Sequence, residues 1–184
     1  MKRTFQFVLQ FDPSEIDGLA ERYGYKQDSE AFAAGKDIAG GNYSRENLND
    51  IVRWKSARRI ALLCDNTDED IARTLQFATA PSTSEGSAVE VLDNLRGVGV
   101  PVASAILTAI NPLRYTVIDF RALESLGVAK WPKGSIAYYV AYLSACRDLA
   151  RQYNKPLRTL DRALWQWSKE RGRQTKCLRT RRAL

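Results

Sequence analysis

Apolar and polar positions alternate at the start of the chain. Phe5, Phe7, Leu9 and Phe11 are interleaved with Gln6 and Gln10, a period of two that predicts one short strand. Beyond it the apolar spacing lengthens to three and four, the mark of helices. Ser14 is placed to cap a helix reaching about Tyr23, and Gly35, Gly40 and Gly41 predict a loop before Ser44 opens a longer helical stretch. Asn66-Thr67-Asp68 begins a helix that Pro81 ends, and the run Ser82 to Ser87 predicts a loop leading into a helix from Ala88 to Leu95. Later helices are expected from Asp119, from Ser135 to about Tyr153 and from Leu157 to about Glu170. The fold class is mainly α: a helical bundle with one short N-terminal strand.

The 184 residues are 45% hydrophobic and 27% charged, the composition of a globular protein with a real core. Three consecutive segments are expected. Residues 1–43 form a strand and helix packing on the C-terminal helices, 44–130 a central helical lobe, and 131–184 the last helices and a basic tail. The turn Lys130-Trp131-Pro132-Lys133-Gly134 marks the second boundary. Ile136, Tyr139, Val140 and Leu143, then Leu157, Leu160, Leu164 and Trp167, recur at helical spacing. They are read as core, with Trp165 and Trp167 as packing residues.

Charge narrows the class of partner. The net charge is +7, which favours phosphate-rich or acidic partners, and the stretch Lys169 to Arg182 is basic with Glu170 its only acid. Cys64, Cys146 and Cys177 are widely spaced, which argues against a disulfide framework or a clustered metal site. With no histidine in the chain, His-type zinc sites and Ser-His-Asp or Cys-His catalysis are excluded, and acid–base work falls to carboxylates, Lys, Tyr or Cys. No apolar run approaches the roughly 20 residues that cross a bilayer. The expected location is the cytoplasm, in association with the nucleoid, with no membrane partner.

The most informative stretch runs Leu95-Arg96-Gly97-Val98-Gly99-Val100-Pro101 into Val102 to Leu107. Two glycines around one apolar residue permit a tight reversal, and Pro101 suits a first helical turn. The amides of Gly97 to Val100 are then expected to point outward at a helix N-terminus, where they bind a phosphate oxygen without reading sequence. A purely steric glycine turn between two helices is the competing reading. Leu95 before the turn, and Ala103, Ala105, Ile106 and Leu107 after it, suit two short helices in close contact.

From about Leu92 to Gly127 the chain resembles the helix-hairpin-helix of the HhH-GPD superfamily of DNA glycosylases, in which Leu-Pro-Gly-Val-Gly begins the hairpin. Asn111-Pro112 stands for the polar break, Val117-Ile118-Asp119 for the apolar pair before the catalytic aspartate, and Leu126-Gly127 for the closure of the next helix. Gly97 and Asp119 are 22 positions apart, the family's interval. The resemblance implies double-stranded DNA, damaged or modified, as partner, the hairpin Arg96 to Val100 as a DNA contact, and Asp119 as the catalytic acid. The chain also departs from the pattern. Pro101 stands where bifunctional members carry a nucleophilic lysine, Phe120-Arg121 replaces the usual Thr-His, and the four-cysteine iron–sulfur motif is absent. No cofactor is expected beyond a cation at the hairpin.

A carboxylate beside a breaking glycosidic bond stabilises positive charge on the sugar or activates water. Asp is equally a favoured helix N-cap, and for Asp119 the two roles are compatible. A second basic site is read at Arg53-Trp54-Lys55-Ser56-Ala57-Arg58-Arg59. In one continuous helix Lys55 and Arg59 would fall in the apolar stripe of Leu48, Ile51, Val52, Leu62 and Leu63, and burying them unpaired would be costly. Alternatively Ser56 caps a new helix and turns Lys55 toward water. Trp54, Lys55, Arg58, Arg59 and, farther on, Arg121 complete the expected DNA contacts. Three functions stay open: a monofunctional glycosylase, a non-catalytic DNA-binding module, and a helical protein-interaction domain. Oligomeric state is left open.

Overall fold

The computed structural model describes residues 5–24, 28–132 and 134–181, with side chains through residue 172. It is mainly α-helical: α1 (Ile16–Glu21), α2 (Asp28–Ala39), α3 (Arg45–Ser56), α4 (Ile60–Leu63), α5 (Asp68–Thr79), α6 (Glu85–Asp93), α7 (Val100–Ile110), α8 (Phe120–Glu124), α9 (Ile136–Gln152) and α10 (Leu157–Arg181). Short 3₁₀ turns, Pro13–Glu15 and Ala57–Arg59, precede α1 and α4. No described helix is long and apolar enough to cross a membrane. Two compact units emerge, and they interleave along the chain rather than following one another as 1–43, 44–130 and 131–184. One comprises Tyr25–Ile118 and Pro132–Ser144, the other residues 1–24, 119–131 and 145–184.

The first unit is organised around α7, in which Val100 and every residue from Val102 to Ala109 are buried. Helices α2, α3 and α6 pack against it. The approach of α2 is close because of Gly35, where an added Cβ would lie 2.1 Å from the Ala109 carbonyl oxygen. Gly35 was expected in a loop and instead sits buried inside α2. A glycine's helix penalty of about 1 kcal/mol is offset here by backbone-to-backbone packing. Ser44, Thr67 and Ser84 cap α3, α5 and α6, accepting from the amides of Asn47, Asp70 and Ser87. Helix α6 therefore starts at Glu85, inside the stretch expected to be loop. Ala80, extended before Pro81, ends α5.

Polar groups buried beside α7 are satisfied by one another. Ser104 Oγ donates to the Pro101 carbonyl at 2.9 Å and accepts from the Ile118 amide at 3.1 Å. Thr108 Oγ1 donates to the Ser104 carbonyl at 2.7 Å. From α9, Tyr139 and Tyr142 donate their hydroxyls to the carbonyls of Thr116 and Val117 at 3.2 and 2.8 Å. Residues Tyr115 to Ile118 have no regular secondary structure, yet all four are buried and tied in place.

In the second unit, α10 packs against α1 and α8 around Ile16, Leu19, Leu123, Leu160 and Leu164, each no more than 1% exposed. Trp167 stacks on Phe11 and Trp165 meets Tyr23 edge-on, with centroids 5.7 and 5.2 Å apart. Both tryptophans are packing residues, as read from their spacing. The expected N-terminal strand does not form among the described residues. Val8 and Gln10 donate their amides to the carbonyls of Leu126 and Ser125, so the extended segment pairs with the turn after α8 and has no second strand to build a ladder. Asp12, not Ser14, supplies the first cap, accepting from the Ser14 amide at 2.8 Å. Helix α10 runs past Glu170 to Arg181.

Gly35→Ala is expected to lower unfolding stability by about 2–3 kcal/mol, because backbone atoms of α7 must move to admit the methyl. Gly172→Ala, where an added Cβ meets nothing within 4 Å, should instead stabilise by up to about 1 kcal/mol. Urea unfolding of the two variants against wild type measures both signs.

Candidate nucleic-acid interface and the Asp119 cap

The predicted hairpin forms between α6 and α7. Leu95 N–H donates to Leu92 O and Val98 N–H to Leu95 O, while buried Leu95 and Val98 hold the turn to the unit. Gly97 is left-handed at φ +89, and a Cβ there would lie 2.9 Å from Arg59 O and 3.1 Å from Leu63 N. Both its conformation and its contact thus require glycine. Gly99 is extended, at φ −109, and opens α7, its carbonyl accepting from Val102 and Ala103. An added Cβ at Gly99 would meet only ordinary van der Waals neighbours at 3.9 Å.

Asn66, which sequence reasoning used only as part of a helix start, fastens the turn. Its Oδ1 accepts from Arg96 N–H at 2.9 Å, and its Nδ2 donates to the carbonyls of Arg96 and Leu63 at 3.0 and 2.9 Å. Arg45 holds the same loop, donating to Leu63 O, Asn66 O and Asp68. The Arg96 guanidinium pairs with Asp65 at 3.0 Å on the surface. A partner 30 residues away in the chain leaves no periodic signal, which is why this anchor was missed.

The hairpin amides are not all directed outward as expected. Val98 N–H is used within the turn, and Val100 N–H faces the carboxylate of Asp93. Among the described residues, the amides of Gly97 and Gly99 are the hairpin donors that take no partner. Asp93 was also missed. Asp93 is exposed as a residue, yet partial desolvation of its carboxyl holds it above the usual aspartate range, with the Val100 amide offsetting part of that.

The basic segment divides. Ser56 leaves helical geometry at φ −164 and ψ 81 and makes no side-chain cap bond. It therefore splits the stripe without capping a new helix. Lys55 is part-buried, and Arg58 and Arg59 are exposed on the 3₁₀ turn whose backbone touches Gly97. Trp54 is corrected: it is 5% exposed and meets Phe32 edge-on at 5.7 Å, so it is core and not a stacking platform.

Asp119 opens α8 in the second unit. Its Oδ1 accepts from the amides of Arg121 and Ala122, each at 3.0 Å, which fixes the carboxylate against its own helix. Arg121 is half-buried: its guanidinium lies over the rings of Phe120 and Trp165, 4.9 and 5.4 Å from their centroids, and reaches Ser168 Oγ at 3.5 Å. Leu126 is buried and Gly127, at φ +76, ends the segment where a Cβ would lie 2.8 Å from Gln10 Nε2. Among the described residues, no group of three or more His, Cys, Asp or Glu is placed to hold a metal.

No protein-family model, curated protein or solved structure matches the chain.

Because the folded state binds the Asp93 proton more tightly than the unfolded chain does, stability falls as pH rises from the ordinary value of 3.8 through the raised native one. The stability difference between Asp93→Asn and wild type is therefore expected to shift in the variant's favour as pH rises from 4 to 7. Thermal melts at the two pH values provide the comparison, and equal differences at both would contradict the assignment.

Proposed function

We propose that the chain binds duplex DNA through the turn at Leu95 to Gly99 and, with Asp119, hydrolyses the N-glycosidic bond of a damaged or modified base. The observation that carries this reading is the juxtaposition of the unpartnered Gly97 and Gly99 amides with the exposed Arg58–Arg59 turn, whose backbone packs on Gly97. Backbone donors and two cations in one place suit phosphate oxygens, which position a duplex without reading it. The resemblance to the HhH-GPD glycosylases adds the chemistry. The target base leaves the stack, and the Asp119 carboxylate stabilises the developing sugar cation or activates water. Pro101 offers no amine for Schiff-base chemistry, so the product is a free base and an intact abasic site.

A non-catalytic DNA-binding module is the second reading. The two cap bonds of Asp119 favour it, since they account for that residue without any reaction.

Gly99→Asp fits the observed backbone and sets a second carboxylate at the hairpin, its Cβ 3.9 Å from Asp93 Oδ1, so its folding is verified by circular dichroism before affinity is measured. Duplex affinity is expected to fall about tenfold at low salt. Equal affinity in the folded variant removes the hairpin from the interface. Asp119→Asn keeps the cap and should bind DNA like wild type yet lose excision by about 100-fold or more. Duplexes carrying uracil, 8-oxoguanine, alkylated purines or mismatched adenine test this, with strand breaks expected only after alkali. Gly99-dependent binding without excision of any base would select the non-catalytic module.

A further inference from the structure

The extended N-terminal segment reads Phe5-Gln6-Phe7-Val8-Leu9-Gln10-Phe11. Its residue types run in the same order in either direction about Val8: a large apolar residue, then glutamine, then phenylalanine. The backbone groups of an extended chain point alternately to its two edges. On one edge the amides of Val8 and Gln10 donate to Leu126 O and Ser125 O at 3.0 and 2.9 Å, and Gln10 Nε2 donates to Val8 O at 2.7 Å. That edge is occupied. On the other, the amide and carbonyl of Leu9 meet no partner among the described residues. An orphaned backbone donor is rarely buried, so this edge is open to water. The side chains divide by the same period. Val8 is 58% exposed and Gln6 and Gln10 are exposed, whereas Phe7, Leu9 and Phe11 are half-buried.

We propose that this open edge pairs antiparallel with the same edge of a second copy of the chain, about a two-fold axis at Val8. In that register Leu9 lies opposite Phe7 of the second copy, Val8 opposite Val8, Gln6 opposite Gln10 and Phe5 opposite Phe11. A two-fold interface must be complementary to itself, and the order of these residues supplies that: apolar side chains meet apolar ones, and the glutamine amides meet each other. The register also agrees with the open edge, because it turns the backbone groups of Leu9 toward the second copy and leaves the bonds to Leu126 and Ser125 in place. An unpaired edge is a template for strand addition, and lysine or proline is the usual guard against it. Neither interrupts residues 5–11. So short a ribbon is smaller than the interface of a stable dimer, and the pairing is a concentration-dependent equilibrium with a dissociation constant on the order of 100 µM.

Sedimentation equilibrium of the full chain from about 10 µM to about 1 mM tests this, with wild type expected to pass from monomer to dimer over that range. Val8→Lys and Val8→Glu change an exposed side chain and keep the Val8 amide. Each should weaken self-association about fivefold, because like charges then stand directly opposite one another. An equimolar mixture of the two should recover wild-type association as a heterodimer. Leu9→Pro removes the donor on the open edge and should abolish association in protein shown by circular dichroism to be folded. A wild type that stays monomeric throughout the range overturns the proposal. So does a dimer that neither Val8 variant weakens, or a mixture that associates no better than either variant alone.

Discussion

Helix α7 has almost no polar side, and the first unit is built to enclose it. With Val100 and the residues from Val102 to Ala109 buried, it behaves less like an amphipathic surface helix than like the axis of a bundle. Enclosure demands that at least one neighbour approach to backbone contact, and Gly35 in α2 is where that happens. The hydroxyls of Ser104 and Thr108 are tolerated inside because each has a partner, as burial requires. The two features of functional interest flank this helix in sequence: the Gly97–Gly99 turn before it and the segment leading to Asp119 after it.

The electrostatics at the head of α7 are a compromise. A helix N-terminus attracts negative charge, and Asp93 already supplies one there, its carboxylate facing the Val100 amide. The exposed Arg58–Arg59 turn, whose backbone meets Gly97, brings positive charge to the same reversal.

Local signals were legible where they concern one turn of chain. The caps at Ser44 and Thr67, the stop at Pro81, the glycine reversal and the Asp119 helix start all depend on residues within four positions of one another, and all appear. What escaped depends on distant partners. The alternation at Phe5 to Phe11 does describe an extended segment, but its hydrogen-bonding partner is the end of a helix. Gly35 reads locally as a breaker and is explained only by Ala109. Trp54 sits among cations in sequence, yet it faces Phe32 in space. Asn66 and Asp93, which hold and charge the hairpin, carry no periodicity at all.

Residues Tyr115 to Ile118 would ordinarily be where a chain tolerates an insertion, since they belong to neither a helix nor a strand. Here the carbonyls of Thr116 and Val117 meet two tyrosines of α9, and the Ile118 amide meets Ser104. One extra residue would shift every one of these bonds out of frame and expose or bury the wrong side chains. The coil is therefore a ruler. Its length is as fixed as that of the eleven-residue helix before it, so a residue added to this coil costs the first unit what one added inside a helix would.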